Sequence, residues 1–316
     1  MIRLAVVSGK GGTGKTVVTA GFAALAGGPM LLADCDVEAA NLELLLSARW
    51  ARASPFEGAE TAVVDPEKCW GCGRCVELCR FGALTVRDDA LAVCEPRDCE
   101  GCGLCERVCP NGAITLKPRV SGAVLRSTAD YGSLSHARLY PGSGNSGLLV
   151  QTVKHQTERH AGRADLLLID SPPGTGCPLI STVGGTDAVV VVAEPSRSGL
   201  HDLRRVVGVC RRFGVRIFAV INRWDLDPAI AGEIEAECTA RGIPVLGRIP
   251  FDPAVIEAVR AGRPISGTDS PAAGALADCW AVLGRELGLA RAEDGDRPSP
   301  EQSPNSDDSE TITQNI

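Results

Sequence analysis

Residues 9–16 read Gly-Lys-Gly-Gly-Thr-Gly-Lys-Thr and match the phosphate-loop pattern G-x-x-x-x-G-K-[ST] in full. Such a loop constrains the fold because it works only between a strand and a helix. Residues 2–7 form an apolar, β-rich run with the character of a buried strand, and residues 17–25 are small and apolar like a packed helix. That order turns successive backbone N–H groups and a helix N-terminus onto one anion. Glycines let phosphate approach the backbone where a Cβ would block it. In this setting Lys15 reaches the β- and γ-phosphates of a nucleotide, and the Thr16 hydroxyl holds Mg²⁺. Gly9, Lys10, Gly11, Gly12, Thr13, Gly14, Lys15 and Thr16 are therefore the candidate nucleotide-binding residues.

Downstream, apolar runs alternate with helical patterns. Residues 30–33 form a second strand that ends on Asp34-Cys35-Asp36. Two carboxylates two positions apart point the same way. At the C-terminal end of a parallel strand they face the crevice where ligands bind. Residues 165–170 form a strand closing on Asp170, and further strands fall at 188–193, 215–221 and 244–249. Helical stretches at about 148–162, 199–213, 228–241, 253–261 and 271–287 separate them. Strands alternating with helices predict an α/β fold, a doubly wound and mostly parallel sheet.

Around residue 46 this pattern stops, and an internal repeat takes over. Cys69, Cys72, Cys75 and Cys79 form a C-x₂-C-x₂-C-x₃-C run, and Cys99, Cys102, Cys105 and Cys109 repeat it at an offset of 30 residues. The similarity continues from Phe81-Gly82-Ala83-Leu84-Thr85-Val86 to Asn111-Gly112-Ala113-Ile114-Thr115-Leu116. This is the spacing of bacterial two-cluster ferredoxins, in which the fourth cysteine of each run ligates the other cluster. One [4Fe–4S] cluster is then expected on Cys69, Cys72, Cys75 and Cys109, and the other on Cys99, Cys102, Cys105 and Cys79. Zinc sites carry paired C-x₂-C units with longer gaps. Cys109 is followed by proline but Cys79 by Arg80, a charge expected to raise one cluster's potential. Cys94 lies outside both runs, at the repeat position of Val64, and is read as a small buried apolar residue. The expected organisation is a discontinuous nucleotide domain over 1–59 and 117–290, an inserted α+β ferredoxin-like domain over 60–116, and a disordered acidic tail over 291–316. Residues 117–147, rich in Pro, Gly and Ser, read as a surface return path or as a relay to the nucleotide site or a partner.

The second lysine of the loop, Lys10, gives Lys-Gly-Gly-Thr-Gly-Lys-Thr. The chain thereby resembles the deviant phosphate-loop ATPases of the MinD/ParA/Mrp and nitrogenase-iron-protein superfamily, here with a ferredoxin insertion. The resemblance covers nearly the whole chain except the tail. In that class the early lysine reaches across a dimer interface to the partner's nucleotide, which implies an ATP-dependent homodimer. Residues 34–42 are similar to the superfamily's first switch, which places Asp36 near the attacking water, with Asp34 as the alternative. Lys10, Lys15 and Asp36 are thus the candidate catalytic residues. Asp170-Ser171-Pro172-Pro173-Gly174-Thr175-Gly176 is similar to the Walker B strand and second switch, so Asp170 joins Thr16 at Mg²⁺. Asn222-Arg223 is similar to the adenine-contacting element, and an Asn amide can pair with a purine edge. Cys177 stands where the nitrogenase iron protein has a bridging-cluster ligand, but no second cysteine is placed to complete that set, so a structural or reactive thiol is expected.

Composition excludes several classes. Seven acids and two arginines in the tail account for most of the net charge of −7, so the body offers no electrostatic footprint for nucleic acid. No apolar run approaches the length of a membrane span, and the amphipathic tail helix that tethers MinD to membranes is missing. The N-terminus enters a strand at once, leaving no room for a signal peptide. Fourteen cysteines in an apparently cytoplasmic chain point to metal ligation rather than disulfides. The expected cofactors are ATP, Mg²⁺ and two [4Fe–4S] clusters. The expected function couples nucleotide-driven dimer switching to electron transfer toward a metalloprotein or metal-cluster maturation partner. Two alternatives stay open: an ATP-dependent positioning or assembly factor with structural or redox-sensing clusters, and an Fe–S cluster carrier.

Overall fold

The computed structural model describes residues 1–160 and 162–289; the predicted acidic tail lies outside the described residues. Strand β1 (Ile2–Ser8) leads through the glycine loop into helix α1 (Lys15–Ala26), and β2 (Met30–Asp34) leads to the single-turn helix α2 (Leu42–Leu45). Then come β3 (Arg49–Phe56) and β4 (Ala59–Val64), followed by the cysteine-rich elements α3 (Arg74–Leu78), β5 (Leu84–Val86), β6 (Ala92–Cys94), α4 (Leu104–Val108) and β7 (Ile114–Arg119). The chain returns through β8 (Gly122–Ala129) and β9 (Gly132–Leu139) to α5 (Ser146–Arg159), β10 (Leu166–Pro173) and α6 (Cys177–Val183). It closes with β11 (Ala188–Ala193), α7 (Arg197–Arg211), β12 (Arg216–Asn222), α8 (Pro228–Ala240), β13 (Val245–Ile249), α9 (Pro253–Arg260) and α10 (Pro271–Leu287).

Nine strands make one sheet in the order β13-β12-β11-β1-β10-β2-β9-β8-β3. The first seven run parallel, while β8 pairs antiparallel with both β9 and β3. The central strands β1, β2, β10 and β11 are near-continuous runs of Val, Leu, Ile and Ala, as strands covered on both faces must be. Two apolar layers flank them: Leu149, Val153, Leu179 and Val206 on one face, and Val18, Phe22, Leu276 and Leu283 on the other. Pure alternation of helices and parallel strands therefore describes most of the chain. Among the described residues no helix is long and apolar enough to cross a membrane.

The return path over residues 117–147 is the main departure from the sequence-based expectation. Most of it is sheet rather than surface loop: β8 and β9 complete the nine-stranded sheet beside β2. The sequence hides these strands because polar Ser127, Ser135 and His136 interrupt the buried apolar positions Val124, Leu125, Leu134 and Ala137. Ser127 and His136 are buried, and the Ser127 hydroxyl meets the His136 Nε2 at 2.9 Å. That contact satisfies the Ser127 hydroxyl and Nε2, while His136 Nδ1 is buried without a hydrogen-bond partner. The edge strand β3 is almost wholly exposed and carries Arg49, Trp50, Arg52 and Pro55, which suits an edge that must not recruit another strand.

The cysteine-rich elements form two small sheets of their own, β4–β7 and β5–β6. The 30-residue repeat is visible in them. Helix α3 maps onto α4, and the ladder pair Val64↔Ile114 maps onto Leu84↔Cys94. The first strand of each copy pairs with the last strand of the other, so neither copy closes alone. Ala62, Cys75, Leu84, Ala92 and Ile114 form their shared core. The neck joining this unit to the sheet is tied at Gly58, whose N–H donates to Ser121 Oγ at 3.1 Å and whose carbonyl accepts from the Asn145 amide.

Lys154 is a buried cation that the fold depends on. Its ammonium reaches from α5 to the end of α6 and donates to the carbonyls of Ser181 (3.0 Å), Thr182 (2.8 Å) and Gly184 (2.5 Å). Helix C-termini leave such carbonyls unpaired, and a lysine there is favoured by the helix dipole. Burial pulls the Lys154 ammonium below its usual range, with the nearby Cys35 and Glu158 opposing. Lys154→Met is expected to lower unfolding free energy by about 2 kcal/mol, because three buried acceptors lose a charged donor. Urea denaturation reads this directly; a loss no larger than that of a surface lysine variant would show that water replaces the ammonium.

Candidate functional site

The glycine loop sits at the C-terminal edge of the sheet between β1 and α1, where Gly12 and Gly14 take positive φ values of 80° and 91°. At Gly14 the requirement is steric as well: a Cβ would lie 2.3 Å from Asn222 Nδ2. The first turn of α1 points Lys15 and Thr16 at the C-terminal half of β10. There Asp170, fully buried, accepts from Thr16 Oγ1 at 2.7 Å and Thr19 Oγ1 at 2.9 Å, and Lys15 Nζ lies 3.5 Å away. Thr19 extends this constellation beyond the residues singled out from the sequence. Within the loop the Thr13 hydroxyl is buried without a protein partner. An orphaned donor, a glycine cradle, a buried lysine and a hydroxyl–carboxylate pair together fit a Mg²⁺-bound nucleotide.

The two switch aspartates differ. Asp34 is fully buried and accepts three backbone N–H groups, from Asp36, Asn41 and Leu42, each at 3.0 Å. It shapes the turn into α2. Asp36 remains the freer carboxylate, 4.0 Å from Lys15 Nζ and facing the loop. Gly174, at a φ of 94°, donates its N–H to Ser8 at 3.1 Å, which brings the loop after β10 against the end of β1.

Lys10 does not turn toward Asp170. Its ammonium pairs with Glu194 and donates to Ser196 Oγ at 3.2 Å and Ser198 Oγ at 2.9 Å, beyond β11. Glu194 was legible in principle: like Asp34 and Asp170, it is an acid at the C-terminal end of an apolar strand. Asn222 and Arg223 brace the loop from outside, donating to the Thr13 carbonyl at 2.7 Å and to the Gly12 carbonyl. Asp252 caps α9 by accepting from Ala254 N at 2.9 Å.

A second network ties the first switch to the sheet edge. Glu43, buried on α2, accepts from Trp50 Nε1 on β3 at 3.0 Å and from Arg138 on β9 at 2.7 Å, and His136 Nδ1 lies 3.4 Å away. The Arg138 guanidinium also stacks over Trp50 at 5.0 Å. Burial pulls the His136 imidazole below its usual range, while Glu43 opposes. These four residues lie up to 95 positions apart, and no local pattern links them.

The repeated cysteines line two cavities. Cys79, Cys99, Cys102 and Cys105 share one of about 280 Å³, and Cys69, Cys72, Cys75 and Cys109 share a second of about 20 Å³. Each therefore takes three thiols from one run and one from the other. Among the described residues no three His, Cys, Asp or Glu side chains converge tightly enough for a single metal ion. Cys94 departs from expectation: it is half-buried rather than simple core, with its sulfur 3.8 Å from Thr61 Oγ1 and against Cys99. Burial pushes the Cys94 thiol up to about 11. Cys210, Cys238 and Cys279 are fully buried, as their single positions on helices predict, and Cys177 is exposed.

Burial and the neighbouring Asp170 push the Asp34 carboxyl up to about 7, with the backbone donors and Lys15 opposing; burial likewise raises Asp36. A carboxyl raised on folding holds its proton more tightly in the native state. Its stabilisation is present below the unfolded value and is lost as pH rises through the folded one. Asp34→Asn removes this linkage. In nucleotide-free protein its stability relative to wild type is expected to climb between about pH 4 and about pH 7, on top of a constant offset for altered hydrogen bonds. Urea unfolding across that range checks this; a pH-independent difference would show an ordinary carboxyl.

Residues 4–265 match the family model described as the CobQ/CobB/MinD/ParA nucleotide binding domain. An uncharacterized protein of Methanocaldococcus jannaschii is 32% identical over 227 residues, covering 71% of this chain and 78% of that protein. A cytosolic Fe-S cluster assembly factor Nubp1 homolog of Drosophila willistoni is 29% identical over 166 residues, and the match spans 46% of this chain and about half (53%) of that protein. Among solved structures, the septum site-determining protein MinD of Pyrococcus horikoshii, complexed with Mg-ADP, superposes with a TM-score of 0.56 at 20% identity, covering 91% of this chain and 98% of that one. That likeness concerns the fold, and the family match spans both the glycine loop and the sheet it serves. The chain belongs to the CobQ/CobB/MinD/ParA nucleotide-binding family.

Proposed function

We propose that this protein is a cytoplasmic ATPase carrying two [4Fe–4S] clusters, in which MgATP-driven closure of a homodimer gates electron transfer to a metalloprotein or a metal-cluster maturation partner. The nucleotide occupies Gly9–Thr16, with Asn222 and Arg223 toward the base. Lys15 neutralises the γ-phosphate, Thr16 and Asp170 hold Mg²⁺, and Asp36 orients the attacking water. Lys10 leaves Glu194 to engage the nucleotide of the second protomer. Residues 60–116 form the cluster module. Cys69, Cys72, Cys75 and Cys109 hold one cluster, and Cys99, Cys102, Cys105 and Cys79 hold the other. When bound, these groups supply one-electron transfer.

The observation that carries this reading is the Glu43 network. Helix α2 lies directly after the Asp34–Leu42 turn that faces the loop. Through Glu43 it grips Trp50 on β3, the strand entering the thiol unit, and Arg138 on β9, next to the strand that leaves it. Movement of Asp36 on nucleotide binding thus has a short path to the neck at Gly58. Nucleotide must favour one of the two arrangements for this path to matter. A second reading, an Fe–S cluster assembly factor, is favoured by similarity to the cytosolic Fe-S cluster assembly factor Nubp1 homolog.

The decisive experiment is stopped-flow reduction of the anaerobically reconstituted protein with and without MgATP. Gating predicts a nucleotide-dependent rate in wild type that disappears in Lys15→Ala and in Glu43→Gln, with cluster content retained. Lys15→Ala is also expected to lower ATP hydrolysis by about 100-fold or more, the scale of losing one preorganised charge at a transition state. Equal rates with and without nucleotide in wild type would end the gating proposal. Nucleotide-stimulated transfer of iron and sulfide to an apo-acceptor would establish the assembly reading instead.

A further inference from the structure

Residues 140–145 join β9 to α5, and neither the nucleotide loop nor the thiol cavities account for them. They run beside the neck of the thiol unit. There the entering and leaving chains bond to each other. The Ser121 N–H donates to the Phe56 carbonyl at 2.8 Å, and the Gly58 N–H donates to Ser121 Oγ at 3.1 Å. Gly58 and Ser121 are both buried. Tyr140 joins the pair, its N–H donating to the Ser121 carbonyl at 2.9 Å. At the start of this connection the Leu139 N–H donates to the carbonyl of Val37, a residue of the first switch, at 2.9 Å.

The far end of the connection meets the second switch. Gly174 is bonded to Ser8, just ahead of the glycine loop, and Gly176 opens α6. Helix α6 packs along α5 with little room to slide. A Cβ on Gly147 would lie 3.2 Å from Ser181 Oγ and 3.4 Å from Cys177 Cβ, and Lys154 clamps the other end of the same pair. The two helices are therefore braced as one body. Asn145 stands at the N-cap of α5. An asparagine there ordinarily turns its side chain onto an N–H of its own helix. Asn145 makes no such bond; its amide donates to the Gly58 carbonyl instead. Its backbone is left-handed, with φ of 68°, which asparagine tolerates better than most residues. The residue is exposed, so core packing does not explain its placement.

We infer that Asn145 is a positioning residue that carries the state of the second switch to the neck of the thiol unit. The inference rests on the nucleotide site of the proposed function and adds a route to its gating. The Glu43 network serves the first switch, whereas the α6–α5 pair and Asn145 serve the second. When Gly174 closes on bound nucleotide, α6 shifts and takes α5 with it, and the Asn145 amide moves the Gly58 carbonyl. Coupling of this kind requires an element with two arrangements that both sites bias. The braced helix pair is that element, and a single hydrogen bond passes its position on.

The test is hydrogen–deuterium exchange on the anaerobically reconstituted full-length protein, read at residues 56–59 and 119–123. It is run with and without a non-hydrolysable ATP analogue and Mg²⁺. In wild type the analogue is expected to change exchange of the Gly58 and Ser121 amides about five-fold, the worth of one hydrogen bond. Asn145→Gly keeps the left-handed backbone but lacks the amide, and it is expected to abolish that change. Asn145→Asp, of the same shape without the donor, is expected to do the same. In both variants the glycine loop and α6 are expected to respond to the analogue as in wild type, which shows an intact fold. A neck response of wild-type size in both variants would overturn the inference, as would a wild-type neck that ignores bound analogue. The parent reading fails separately. A chain that does not bind the analogue at all would overturn its nucleotide site, and a neck that responds through Asn145 while reduction rates ignore nucleotide would end gating alone.

Discussion

A single buried carboxylate organises the nucleotide half of this molecule. Asp170 lies within the central strand β10, which runs on to Pro173 rather than closing on it; the side chain is fully buried and is held there by Thr16, Thr19 and the Lys15 ammonium. Removing a charge from water is costly unless it is paired and hydrogen-bonded. The α1 turn and the β10 end therefore hold each other in register. Burial, with the same charge beside it, raises the Asp34 carboxyl, which gathers three N–H groups and fixes the turn into α2. Loop, second strand and first switch are thus one electrostatic unit built around one buried carboxylate.

The thiol unit is held by a different principle. Its two copies exchange strands, so β4 closes on β7 and β5 on β6, and the shared core contains few large side chains. So small an apolar core buries little area. On the proposed function, clusters held by the eight thiols that line the two cavities would supply what such a core cannot. Between the two units lie the Gly58 neck and the Glu43 network. Polar contacts at β3, β8 and β9, rather than a broad apolar interface, join them, and an interface of that kind permits relative movement.

Much of this was legible in the chain. The glycine loop announced its strand and helix because its chemistry demands both, and continuous apolar runs marked the parallel strands because both faces are covered. The last helix runs over Pro271–Leu287, where a proline start and a following glycine set its ends. Strands β8 and β9 were not legible. Their inward positions hold Ser127, Ser135 and His136, and polarity of that kind reads as loop until the partner across the ladder is known. Cys94 was read as buried and apolar; it does pack against the core of the thiol unit, but it is half-buried and its sulfur lies 3.8 Å from Thr61 Oγ1.

The sequence alone determined which chemistries were available, a phosphate cradle and two sets of four thiols, because those depend on residue type at short, regular spacing. Tertiary structure alone decided how they are arranged. It parked Lys10 on Glu194, turned Asp34 inward and left Asp36 facing the loop, and brought Glu43, Trp50, His136 and Arg138 together across 95 positions. The physical reason is range. A motif is written in neighbours a few residues apart, whereas burial, ion pairing and the sharing of a backbone donor are settled by whichever distant segment the sheet order delivers.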